Sequence, residues 1–155
     1  MEKQPWNSVD LKPLFAGSDD EYPIFALYRR MMHRGGPRNN VQRTFYLAWE
    51  ATELLNSDGF EYLVDQDPGL EAYAIAFDQI GMPQVKPIFE RVTALIPAHL
   101  RLRENEEAMH VYLREKFDDL QNLLSEFFGA SAEVLTFLGR FVREHKADFA
   151  VYAGD

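Results

Sequence analysis

Residues 40–59 read NVQRTFYLAWEATELLNSDG, and this stretch decides the fold. Val41, Phe45, Ala48, Trp49, Thr52 and Leu55 recur at three- and four-residue spacing, the period of one face of an α-helix. Asn40 is placed to cap the start, and Asn56 to Gly59 breaks the end. Asp58 and Glu61 have capping-box spacing for a short third helix over Phe60-Glu61-Tyr62-Leu63-Val64.

Upstream, Arg34-Gly35-Gly36-Pro37 closes a first helix that Asp20 caps and that carries Ile24, Leu27, Tyr28 and Met31 on one face. Residues 1–19, with Pro5, Pro13 and Gly17, predict an irregular N-terminal arm held down by Trp6 and Phe15. Downstream, Asp67-Pro68 opens a fourth helix with Leu70, Tyr73, Ala74, Phe77 and Ile80, which Gly81 stops. Pro83 opens a fifth, ended by Pro97. A long sixth helix carries Met109, Leu113, Leu120, Leu124 and Phe127 up to Gly129. Ser131 caps a seventh, and 149–155 is expected to fray. No segment alternates at period two. The expectation is an all-α, single-domain, orthogonal or irregular bundle of six or seven helices over residues 20–148.

The 155 residues are 46% hydrophobic with 12 Phe, enough for one sizeable core. The absence of cysteine excludes disulfides, thiol nucleophiles and Cys-ligated metal, and fits a reducing compartment. The first residues lack the pattern of a secretory signal, and no apolar run approaches the ~18–20 residues of a membrane span. A cytoplasmic location is therefore expected.

Net charge is −9, which disfavours direct nucleic-acid binding. The acid is unevenly placed. Residues 1–50 carry 7 basic and 6 acidic side chains, and residues 51–125 carry 6 basic and 14 acidic. From Thr44 to Gln84 there is no Lys or Arg, only Glu50, Glu53, Asp58, Glu61, Asp65, Asp67, Glu71 and Asp78. Glu61/Asp65 and Asp67/Glu71 are spaced by four and Glu71/Asp78 by seven, which are same-face helical spacings. On the sixth helix Glu104, Glu107, Glu115 and Asp118 fall within one arc. Rows of carboxylates imitate the charge of duplex DNA, about one per 1.7 Å of axis, and attract the basic face of a DNA-binding protein. The competing explanation is that they keep the outer faces of amphipathic helices in water.

Catalytic motifs are missing: there is no P-loop, Gly-x-Gly-x-x-Gly, Gly-x-Ser-x-Gly or His-Glu-x-x-His. Glu107 and His110 have Glu-x-x-His spacing, but a di-iron bundle needs two such motifs, so no metal ligands, cofactor or catalytic residues are assigned. Glu50 and Glu53 lie one turn apart and could do acid–base work only if burial split their pKa values. Arg29, Arg30, Arg34, Arg38 and Arg43 form the one basic cluster, read as a solvated rim or as ion-pair partners of the acidic half.

Phe45 to Glu50, the turn from Leu55 to Leu63 with Gly59-Phe60, Ala72 to Ile80 followed by Gly81-Met82-Pro83, Ile88 to Pro97, and Phe117-Asp118-Asp119-Leu120 form a pattern. It resembles a bacterial family of helical domains of unknown function that includes the DNA-mimic proteins. Asp58 stands where the family usually has Gly, and Tyr62 where it often has Gln. The resemblance implies a helical fold, often a homodimer, without established enzymatic activity. For part of the family it implies DNA mimicry towards a helix-turn-helix regulator.

The leading expectation is a non-enzymatic acidic interaction module that binds a basic, DNA-binding protein through the eight carboxylates from Glu50 to Asp78. A second reading is a small-ligand protein or enzyme with a pocket lined by Trp49, Asn56, Gly59 and Phe60. A third is an immunity-type inhibitor, with an enzyme as its partner.

Overall fold

Pro13 sits in the first turn of a helix, in the segment expected to be irregular. A proline is tolerated there because its missing N–H would have no partner, and Lys12–Ala16 forms α1 behind a 3-10 turn at Pro5–Ser8. The structure is a computed structural model that describes residues 5–66 and 69–153. The chain continues through α2 (Glu21–His33), α3 (Asn40–Ser57), α4 (Phe60–Leu63), α5 (Leu70–Gln79), α6 (Lys86–Leu95), α7 (Glu106–Glu115), α8 (Phe117–Ala130), α9 (Val134–Glu144) and α10 (Lys146–Phe149). Seven of these have ten or more residues, and no strand occurs among the described residues. The all-α expectation holds.

The helix that opened the reading, α3, is the hub. It packs chiefly on α5 and also touches α2, α4, α9 and α10. Surrounded in this way, it buries Leu47 and Ala51 as well as the expected Phe45, Ala48, Trp49, Thr52 and Leu55. Beside it, α4, α5, α6 and α8 each contribute one phenylalanine to a buried cluster. Phe60 and Phe77 each meet Phe89 and Phe127 edge-to-face or nearly so, and Phe89 stacks on Phe127 at 5.8 Å between ring centroids. Such pairs add about 0.5–1.5 kcal/mol each beyond the area they bury.

Several expected boundaries move. The cap of α3 is Asn39, whose side chain accepts the Gln42 amide at 2.8 Å. Asp58 does not cap α4: Gly59 holds that position, and the Asp58 carboxylate accepts the Ser57 hydroxyl instead. Asp67 and Pro68 lie outside the described residues, and α5 begins after Gly69. Ser131 closes α8 rather than opening α9. The expected long sixth helix is two helices that part at Lys116. Glu104, Glu107 and Glu115 therefore do not share one helical row with Asp118.

Side chains of α2 and α3 hold both residues 6–9 and residues 148–152, which the sequence reading missed. Arg30 is 2% exposed and donates to the backbone carbonyls of Trp6, Asn7, Val9 and Tyr152. Arg34 donates to the Val151 carbonyl and covers the Tyr152 ring. Gln42 donates to the Asp148 carbonyl and accepts from the Tyr152 hydroxyl. Phe149 and Tyr152 are buried, so the segment expected to fray is docked as far as it is described. In the N-terminal arm, Leu11 and Leu14 reach the core, while Trp6 and Phe15 are only half-buried. Arg29 lies over the Trp6 ring at 4.7 Å. Arg29, Arg30 and Arg34 thus tie segments together, where a solvated rim was one expectation.

Candidate functional site

α3 sets Glu50 and Glu53 half-buried beside aromatic side chains. The Tyr73 hydroxyl on α5 donates to Glu50 Oε2 at 2.8 Å. Tyr28 on α2 and Tyr46 on α3 bring their rings to 4.7 Å. Partial burial pushes the Glu50 carboxyl above the ordinary carboxylate range, and the Tyr73 bond offsets part of that. Burial raises Glu53 too; the Arg29 guanidinium opposes the rise, while the charges of Glu21 and Glu50 add to it. The Trp49 indole N–H is near enough to Glu53 to stabilise the carboxylate, yet it makes no hydrogen bond of good geometry. Burial first, then Glu50, drives the Tyr28 hydroxyl far above its ordinary value. These two carboxylates are held in a polar, aromatic seam between α2, α3 and α5.

The other predicted carboxylates divide differently. Asp58, Glu71 and Asp78 are exposed, and no ion pair neutralises them among the described residues. Glu71 and Asp78 stand two turns apart on the outer side of α5. Glu61 is half-buried, with Oε1 sealed from solvent and unpartnered. Its Oε2 lies 2.8 Å from where a Cβ on Gly59 would be, a contact that rotation of the flexible Glu61 end relieves; the positive φ of +75° is what favours glycine there. Asp65 is engaged by His110 on α7, whose Nε2 lies 2.6 Å from Oδ2. Asp67 lies outside the described residues. The eight predicted residues are therefore not one uniform row: two sit in the seam, three face solvent, and two are held around α4.

The candidate pocket residues separate as well. Trp49 and Phe60 are 3% and 1% exposed and belong to the core, Gly59 is buried, and Asn56 is exposed. The space behind the Asn56–Phe60 turn is filled by the Phe60 ring against Phe89 and Phe127. A cavity of about 650 Å³ lies elsewhere, between the end of α4, the start of α5, α6 and α7. Asp65, Glu71, Arg101, Glu106 and Met109 are among its lining residues. Sequence reasoning missed the joining of Asp65 to His110, because it depends on how α7 packs on α4. Within α7 the available signal was the spacing of Glu106 and His110, i to i+4; the weighed pair was Glu107 and His110.

Comparison with protein families gives one match. A family model described as DMP19-like protein covers residues 38–145, more than two thirds of the chain. No curated protein and no solved structure gives a significant match.

Proposed function

Because the chain belongs to the DMP19-like protein family, which includes DNA-mimic proteins, we propose that it is a non-catalytic interaction module whose exposed carboxylates stand in for DNA phosphates towards a basic, DNA-binding protein. The observation that carries this reading is the set Asp58, Glu71 and Asp78. These side chains are exposed and without ion pairs among the described residues, in a run from Thr44 to Gln84 that holds no Lys or Arg. Charge placed like this draws a basic surface in and orients it before contact. The exposed Glu104, Glu107, Glu115 and Asp118 extend the negative field on the α7–α8 side. Glu50 and Glu53 are not phosphate surrogates in this reading, since both are held in the aromatic seam.

The test is affinity capture from the native cell lysate at low salt, with elution along a salt gradient. Capture of a DNA-binding protein that duplex DNA displaces supports mimicry. An enzyme captured in its place, inhibited in the complex and indifferent to DNA, moves the chain to the immunity-type reading. Binding that does not weaken with salt argues against a charge-led interface.

A further inference from the structure

Two segments distant in sequence bring three metal-ligating groups together. Asp65 follows the short helix α4, and Glu106 and His110 lie one turn apart on α7. One ligand atom from each lies within 4.8 Å of the other two. His110 Nε2 is 2.6 Å from Asp65 Oδ2 and 3.9 Å from Glu106 Oε1. We propose that Asp65, Glu106 and His110 form a binding site for a zinc-like divalent metal ion, with its remaining coordination position open to the adjoining 650 Å³ cavity.

The donor set fits that class of ion. One imidazole nitrogen with two carboxylate oxygens suits zinc, cobalt or nickel and is unlike the all-oxygen shells of calcium and magnesium. Bonds of about 2.0–2.1 Å in a tetrahedral shell place neighbouring donors about 3.3–3.4 Å apart. The two separations here lie on either side of that value, so small side-chain rotations open one and close the other. The Asp65 side chain is 20% exposed, while those of His110 and Glu106 are 37% and 64% exposed, so the ligands form a solvent-accessible rim in which two carboxylates flank a single imidazole.

The cavity supplies the second half of the argument. Asp65 and Glu106 both line it, which puts the metal at its wall. Three protein ligands leave at least one position for water or an incoming oxygen ligand. Arg101 lines the same cavity and can hold the negative charge of a small carboxylate or phosphate that occupies that position. The ion would also pin α7 to the chain just after α4, a connection otherwise made by the Asp65–His110 pair. This inference does not depend on the partner reading: its ligands are Asp65, Glu106 and His110, and Asp58, Glu71 and Asp78 are not among them, although Glu71 lines the same cavity.

The experiment is titration of metal-free full-length protein with Zn²⁺ by calorimetry and with Co²⁺ by visible absorption. One equivalent should bind, Tm should rise with saturating zinc, and cobalt should show the visible bands of a four- or five-coordinate site. His110→Ala and Asp65→Asn should each weaken binding at least tenfold and remove the Tm response, whereas Glu107→Gln should change neither. Absence of saturable binding below millimolar metal overturns the proposal. So does binding that survives His110→Ala unchanged, because the ion then sits elsewhere. Both ligand variants alter partly exposed side chains, and Tm without metal checks that each is folded.

Discussion

The carboxylates of Glu50 and Glu53 sit among aromatic rings on α3, whereas those of Glu71 and Asp78, on the next long helix, stand in solvent. All four belong to one acidic run without a Lys or Arg, and nothing in their residue type tells them apart. What differs is the neighbour: residues of α2 and α5 approach the Glu50–Glu53 side of α3, while Glu71 and Asp78 on α5 are exposed. Negative charge counted along a chain is therefore not the same as negative charge offered to a partner. In the seam the charge is a cost that Tyr73 and Arg29 partly offset; on α5 it remains available for recognition.

The sharpest way to break this contrast is to remove the packing behind it. Trp49→Ala should destabilise by about 3–5 kcal/mol in urea unfolding, because it empties a site 3% exposed beside Glu53. Asp78→Ala should stay within about 0.5 kcal/mol of the parent. A large loss at Asp78 would mean that the outer side of α5 is structural after all. Partner binding should show the reverse. Asp58→Lys, Glu71→Lys and Asp78→Lys combined should weaken the captured complex about a hundredfold, roughly 2.7 kcal/mol, with Tm nearly unchanged. The double variant Glu50→Gln/Glu53→Gln should change affinity by less than about threefold, well under 1 kcal/mol. If the seam variant instead costs as much as the triple reversal, the seam opens on binding and the division is wrong.

A smaller effect probes the seam from its other side. Tyr73→Phe removes the hydroxyl that donates to Glu50 at 2.8 Å, so it should cost about 1–2 kcal/mol at neutral pH. The cost should shrink in acid, where a protonated Glu50 no longer needs a donor. A pH-independent loss would assign the hydroxyl's value to packing and not to the carboxylate.

How much of this was legible follows from the range of each interaction. The stripes of α2, α3 and α5, and the arrest of α6 at Ile96-Pro97, are local, and the periodicity places them correctly. The break at Lys116 was not legible, because Met109, Leu113 and Leu120 keep a helical period across a junction where the Lys116 backbone (φ −96°, ψ 16°) leaves the helix. The docking of Phe149 and Tyr152 was hidden for another reason. It rests on Arg30 and Gln42, more than a hundred residues earlier, which reach backbone carbonyls that have no signature in side-chain pattern. The candidate site behaves likewise: its acidity is readable residue by residue, but exposure depends on which helix lies opposite. Asp65 and His110 meet only once α7 rests against α4.

The smallest expected effect is the most specific to the seam. Burial raises the carboxyls of Glu50 and Glu53 above their unfolded values, so the folded state binds more protons than the unfolded state between those limits. Stability from these groups is thus fully present below the unfolded carboxylate range and is lost as pH rises through the folded values. Glu50→Gln keeps an oxygen for the Tyr73 hydroxyl and removes the charge. Because both glutamates are partly exposed, solvent screens much of the penalty, and the gain at neutral pH should be well under 1 kcal/mol, about 1–3 °C in Tm. The same substitution should flatten the fall in Tm between acid and neutral pH, whereas Asp78→Asn should leave that slope as it is. A steeper slope in Glu50→Gln would place the proton linkage on other carboxyls and leave the seam as packing alone.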